Sequence, residues 1–277
     1  MIRVNGIDLQ PDRFPDHTLF LKVSNEIYNS CIDNDDIIIE WFYEHDGELF
    51  TLICLKRYCD EHFYEVNYHL HLSYIPHARM DRVKNTEDVF TLKYFCEVIN
   101  SLNFTTVRVR DAHSNVSLAL LNNVYEEPVN DYITKAIISS KADALFFPDE
   151  GAMKRYAGGF DMPYAFGMKN RDWKSGEIRG YKIINEENII GKNVLIVDDI
   201  CSRGGTFYHA AKALKAAGAK SVSLYITHCE STIVTGDLAA SDGLVDHVYT
   251  TKSILPERLF WGSSDPYWKE WITVLEK

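Results

Sequence analysis

The residues best suited to do chemistry lie in the run Val194-Leu-Ile-Val-Asp-Asp-Ile-Cys-Ser-Arg-Gly-Gly-Thr206. An apolar stretch delivers two adjacent carboxylates, Asp198 and Asp199, a short loop follows, and Gly204-Gly205 open a helical pattern. Glycines let backbone N–H groups approach an anion closely, and a helix N-terminus adds about half a positive charge. Ser202 and Arg203 bring a hydroxyl and a cation, and Thr206 adds a second hydroxyl placed to cap the helix. Carboxylates repel a phosphate, so the aspartates suit the hydroxyls of an attached sugar. The arrangement therefore fits a sugar phosphate, with the phosphate on residues 202–206 and the diol on Asp198 and Asp199. Neither a Walker A run nor Gly-x-Gly-x-x-Gly competes with it.

Three further clusters close apolar runs. They are His77-Ala78-Arg79-Met80-Asp81-Arg82, Asp111-Ala112-His113 and Asp149-Glu150-Gly151. Ligands of open α/β sheets bind beyond the carboxyl ends of the strands. A mixture of arginine, carboxylate and histidine at that edge suits a phosphate-and-magnesium substrate.

The elements that must hold these clusters alternate strand and helix. Strands are expected at residues 69–75, 105–110, 144–147, 193–197 and 221–227, and helices at 90–102, 116–123, 131–140 and 206–217, the last closed by Gly218. Such βαβ alternation implies α/β units with largely parallel sheets covered by helices. The stretch up to about residue 56 is β-rich; residues 36–43 and 48–55 flank His45-Asp46-Gly47, a hairpin signal. A polar, proline-broken run at 125–129 divides the chain into two similar domains, residues 1–127 and 128–277.

The 277 residues carry a net charge of −11, which opposes sequence-independent binding to nucleic acid. No run of about 18 apolar residues marks a membrane span, and residues 1–10 lack the pattern of a signal peptide. Six cysteines without a Cys-x-x-Cys pair read as reduced thiols, so a cytoplasmic protein is expected. His69 and His71 alternate on one strand face but complete no ligand set, and read as structural. Cys201 adjoins a helix N-terminus that favours a thiolate, although the chemistry expected here requires no thiol.

The Val194–Thr206 run resembles the phosphoribosyl-binding loop of the type I phosphoribosyltransferase fold, and the other clusters narrow the resemblance. Tyr74-Ile-Pro-His-Ala-Arg-Met-Asp-Arg82 looks like the ATP-binding segment of the ribose-phosphate pyrophosphokinases, usually Tyr-Ala-Arg-Gln-Asp-Arg/Lys. Asp111-Ala-His113 is similar to their Asp-Leu-His, Phe147-Pro-Asp-Glu-Gly-Ala-Met-Lys-Arg155 to Ser-Pro-Asp-x-Gly-Gly-x-x-Arg, and Phe14-Pro-Asp16 to their adenine-contacting hairpin. Lys169-Asn-Arg171 sits like the Lys-x-Arg of their mobile catalytic loop, and the order is collinear from about residue 13 to 250.

The resemblance implies transfer of pyrophosphate from Mg-ATP to ribose 5-phosphate by two tandem phosphoribosyltransferase-like domains. It implies ATP contacts from Phe14, Asp16, Arg79, Asp81 and His113, and ribose 5-phosphate on Asp198, Asp199, Ser202, Arg203, Gly204, Gly205 and Thr206. It further implies Mg2+ at His113 and Asp149, a catalytic clamp of Lys169 and Arg171, and a homodimer or larger assembly in which the Phe14 hairpin reaches a neighbouring subunit. Neither nucleic acid nor a membrane is an expected partner.

The chain departs from the family pattern at several points. The Phe14 motif comes early, so the family's first strand and helix are expected to be absent, and the segment between Leu55 and His69 is short. Met80 stands for glutamine, Thr18 for glutamate, Ala152 for glycine, and Ser202-Arg203 for Asp-Thr. Read from the residues alone, 169–180 also fits a solvated hairpin, His113 a hydrogen-bonded core histidine and Phe14 core packing. A base-transferring phosphoribosyltransferase and a catalytically silent relative of the synthetase stay open as alternatives.

Overall fold

The computed structural model describes residues 1–171, 178–240, 243–256 and 270–276, with backbone alone at 169–171 and 178–181. The chain folds as two compact units, Met1–Pro128 and Val129–Lys277.

The first unit opens with strands β1 (Ile2–Val4), β2 (Ile7–Asp8), β3 (Asp12–Arg13) and β4 (Leu19–Phe20). There follow α1 (Asn25–Ile32), β5 (Asp36–Trp41), α2 (Gly47–His62), β6 (Asn67–Leu72), α3 (Thr91–Ser101), β7 (Thr106–Arg110), α4 (Asn115–Leu120) and β8 (Val124–Glu127). The sheet order is β2-β1-β5-β6-β7-β8. Strands β5 to β8 run parallel, and β1 joins β5 antiparallel. The period of two in β5, β6 and β7 sends Ile37, Ile39, Trp41, Leu70, Leu72, Val107 and Val109 into one core. Helices α2 and α3 supply Leu52, Leu55, Cys59, Leu92, Phe95, Cys96 and Ile99 to the same core, at helical spacing. Each fully buried side chain of this size stabilises the unit by about 1.5–3 kcal/mol.

Two expectations fail in this unit. Asp46-Gly47 does not turn a hairpin: Gly47 starts α2, and residues 48–55 are helical. The type I′ turn of an Asp-Gly hairpin requires positive φ, which Gly47 does not adopt. Buried Glu48, Thr51, Leu52, Leu55, Lys56 and Cys59 recur at helical spacing, and that longer-range period overrides the local turn signal. Residues 124–127, read in part as a proline-broken domain boundary and not as a strand, form β8, in which Glu127 receives Arg108 and Arg110 from the neighbouring strand.

The second unit comprises α5 (Asn130–Ser140), β9 (Ala144–Phe147), α6 (Glu150–Tyr156), β10 (Tyr164–Arg171), β11 (Ile178–Ile184), β12 (Asn193–Cys201), α7 (Gly205–Ala216), β13 (Ser221–Cys229), β14 (His247–Thr251) and β15 (Ile272–Leu275). Its sheet order is β11-β10-β9-β12-β13-β14-β15, parallel throughout except for the β10–β11 pair. Strands β9, β12 and β13 are near-continuously buried, as a sheet covered on both faces requires. Val194, Ile196, Leu224 and Ile226 pack with Phe207, Ala210 and Leu214 of α7. The alternate residues Leu195, Val197 and Tyr225 pack with Tyr132, Ile133, Ala152 and Tyr156 of α5 and α6. Among the described residues no helix is long and apolar enough to cross a membrane.

Candidate active site

In the second unit, Leu195 pairs with Leu145 and Ile196 with Phe146, so the residues after β9 and those ending β12 emerge at one sheet edge. Asp149 follows β9 and caps α6, its Oδ1 accepting the Ala152 N–H at 3.0 Å. Asp198 and Asp199 lie near the end of β12. Burial, then the charge of Asp199, holds the Asp198 carboxyl well above the usual carboxylate range. Asp149 adds to that effect, and the Asp199 N–H, 3.0 Å from Asp198 Oδ1, opposes it. Asp199 is 5% exposed and is met by Arg155 Nη1 at 3.1 Å. Arg155 did not stand out in the sequence as a site residue. Its partner lies 44 positions away, and only its place in the Asp149 segment pointed toward it.

The chain then turns through Ser202 and Arg203 into α7. Gly204 occupies the helix N-cap with φ +81°, a conformation that suits glycine, and no side chain caps the helix. Thr206 is therefore not the cap: it lies inside the first turn and is exposed. The first-turn N–H groups of α7 lack a side-chain cap, which is the arrangement that receives an anion. Ser202 Oγ lies 3.0 Å from Thr232 Oγ1, and Arg203 is exposed. Cys201 is buried and its Sγ donates to Ser202 O at 3.4 Å; the neighbouring Cys201 thiol, then burial, pushes the Cys229 thiol well up.

In the first unit, the loops after β6 and β7 meet. Asp81 receives Arg82 Nε at 2.8 Å. Arg82 foremost, with Ser114 and the nearby charge of His113, holds Asp81 below its ordinary range. Asp111 is buried with φ +43°, turning the chain so that His113 is half-buried and Ser114 caps α4. His77 Nε2 lies 3.4 Å from Asp46 Oδ1, and Arg79 is exposed.

Phe14 and Asp16 stand on the β3–β4 hairpin. Phe14 is 51% exposed and tilts against Phe20 with ring centroids 5.1 Å apart, so it is not core packing. Asp16 is held below the usual carboxylate range by the Thr18 hydroxyl and then by its backbone N–H. Thr18, the departure from glutamate, thus closes the hairpin through contacts of 2.7 and 3.0 Å. His69 bonds to Thr106 and Asp36, and burial followed by Arg108 holds His71 down to about 4. Both histidines are thus structural parts of the sheet. The backbone of Lys169 and Arg171 pairs with β11, but their side chains lie outside the described residues.

Comparison with known proteins agrees with this geometry. Residues 152–271 match the phosphoribosyl transferase domain. The ribose-phosphate pyrophosphokinase of Saccharolobus solfataricus is 28% identical over 160 residues, which span 56% of this chain and 55% of that relative's length. The ribose-phosphate pyrophosphokinase of Bradyrhizobium diazoefficiens is 28% identical over 258 residues, spanning 88% of this chain and 77% of that relative. The crystal structure of phosphoribosylpyrophosphate synthetase from Mycobacterium smegmatis shares the fold with a TM-score of 0.72, at 17% identity, over 97% of this chain and 85% of that one. Together, the tandem α/β units and these comparisons give the chain a phosphoribosyltransferase-type fold and make it similar to the ribose-phosphate pyrophosphokinases over most of its length.

Proposed function

We propose that the protein transfers pyrophosphate from Mg-ATP to ribose 5-phosphate, giving phosphoribosyl pyrophosphate and AMP. The observation that carries this is the β12–α7 turn, where paired carboxylates run into a helix start with no side-chain cap. A phosphate suits the N–H groups of Gly205 and Thr206 with Ser202 and Arg203 beside it, and a ribose diol suits Asp198 and Asp199. In the first unit, Arg79, Asp81 and His113 provide the mixed charges that a nucleotide triphosphate needs, and the exposed Phe14 provides a face for adenine.

Among the described residues no group of three His, Cys, Asp or Glu forms a metal cage. Magnesium usually arrives with substrate phosphates and takes one or two carboxylates from the protein. Asp149, whose Oδ1 accepts the Ala152 N–H, is suited to supply one, and His113 is the candidate in the first unit. The ion would neutralise charge spreading over the transferred group.

In the proposed step the C1 hydroxyl oxygen of ribose 5-phosphate bonds to the β-phosphorus in line. The bond from that phosphorus to the α,β-bridging oxygen breaks, its electron pair leaves with AMP, and the hydroxyl proton passes to solvent. Such a transfer depends on positioning and charge neutralisation, the role assigned here to Lys169 and Arg171. Incubation with ATP, magnesium and ribose 5-phosphate tests the proposal: AMP formation supports it, and ADP formation indicates ordinary kinase chemistry instead.

A further inference from the structure

Residues 230–238 pack against the loop at 201–205 at several points. The Glu230 N–H donates to Cys201 O at 2.8 Å, and Thr232 Oγ1 lies 3.0 Å from Ser202 Oγ. A Cβ on Gly236 would lie 2.0 Å from Arg203 O and 2.7 Å from Arg203 Cα. A Cβ on Gly204 would lie 2.6 Å from Leu238 Cβ, and one on Gly205 3.3 Å from Asp237 Oδ2.

Gly236 has φ −93°, which any residue adopts, so its backbone conformation does not require glycine. The close approach of the Arg203 carbonyl does. Nor can the segment readily withdraw: Ile233 and Leu238 are buried at 0% and 2% exposure, and Gly236 N–H bonds to Ile233 O at 3.2 Å. The peptide joining Arg203 to Gly204 is planar, with its C=O and N–H pointing in opposite directions. Fixing the carbonyl against Gly236 therefore fixes the direction of the Gly204 N–H, on the side of the loop away from the segment.

We propose that Gly236, assisted by Thr232, is a positioning residue that moulds the anion-binding loop for the phosphate of a sugar phosphate. The inference rests on the function proposed above. It adds a segment that touches no substrate and acts through the Arg203–Gly204 peptide. Substituting Gly236 turns that peptide, and displacement of a loop by about 1 Å is enough to cost binding severely.

The test is calorimetry of ribose 5-phosphate, and separately of Mg-ATP, with wild type, Gly236→Ala and Thr232→Val, alongside thermal melts. Gly236→Ala should weaken ribose 5-phosphate binding by about tenfold or more, and Thr232→Val, which loses the hydroxyl's contacts with Ser202 and Glu230, by a few-fold. Mg-ATP binding should stay within twofold or so in both, since a loop displacement is local. Unchanged ribose 5-phosphate affinity in folded Gly236→Ala overturns the inference. So does an equal loss for both ligands, which is the mark of general damage. Should Gly236→Ala not fold, Thr232→Val decides, and unchanged ribose 5-phosphate affinity there overturns the inference. A wild type that binds no ribose 5-phosphate sinks the proposed function and this inference with it; a wild type that binds, with variants equal to it, sinks the inference alone.

Discussion

Arg155 Nη1 stands 3.1 Å from Asp199 Oδ2 and ties α6 to the end of β12. The same short helix begins at Asp149, so one element carries both the candidate magnesium carboxylate and the cation that meets Asp199, the carboxylate proposed to face the sugar. Two neighbouring carboxylates thereby acquire different surroundings: Asp199 has a guanidinium, whereas Asp198 has burial and two anionic neighbours.

Removing that guanidinium should harm both folding and function. Arg155→Ala leaves Asp199 buried without this cation, a cost of about 2 kcal/mol after allowing for the 29% exposure of Arg155. Urea denaturation should show the loss as a lower midpoint at unchanged slope. Arg155→Lys should recover part of the stability, since a lysine restores charge without the planar fork. Wild-type stability in Arg155→Ala would show that the ion pair contributes nothing.

Asp198 should make the fold sensitive to pH in the opposite sense to an ordinary salt-bridged carboxylate. An unfolded aspartate titrates near 4, and the folded value is raised, so the group favours folding fully below about pH 4. That contribution is lost as pH rises through the folded value. Asp198→Asn should therefore gain melting temperature relative to wild type between pH 5 and 8 while losing ribose 5-phosphate turnover. A gain that is the same at pH 4 and pH 8 would contradict the account.

The β12–α7 turn was legible in the sequence because all its parts are contiguous: an apolar run, Asp198-Asp199, and Gly204-Gly205 opening a helix. Helices α3 and α5 were likewise legible from their apolar period. Other features depend on contacts between distant residues. The Arg155–Asp199 pair joins different elements, and Gly236 looks like any loop glycine until Arg203 O is placed against it. Helix α2 was misjudged because Asp46-Gly47 carries a strong local turn signal, while the helix is decided by burial of Leu52, Leu55 and Cys59 against β5 and β6. Strand β8 was missed because its polar residues are paired with Arg108 and Arg110, which short-range patterning does not show.

Lys169→Ala should lower kcat far more than it raises KM for either substrate. A charge contact made mainly in the transition state is worth about 3–4 kcal/mol. Steady-state kinetics separates the two quantities, and a comparable effect on KM alone would assign Lys169 to substrate binding.

The exposed Phe14–Phe20 pair on the β3–β4 hairpin leads us to expect an oligomer in which this hairpin completes a neighbouring subunit's site. Subunits of Phe14→Ala and Lys169→Ala, mixed under exchange, should then form dimers with one doubly damaged and one intact site. Activity should rise above that of either parent. Activity fixed at the parents' average despite verified exchange, or a monomer by light scattering, would remove the shared site.

The central claim is the identity of the group transferred. The most direct measurement follows ATP labelled at the β-phosphorus through a reaction with ribose 5-phosphate and magnesium. The account predicts label in a sugar diphosphate ester, unlabelled AMP in equal amount, and no AMP when ribose 5-phosphate is omitted. Labelled ADP with no label in the sugar product would mean transfer of the γ-phosphate alone, and would contradict it.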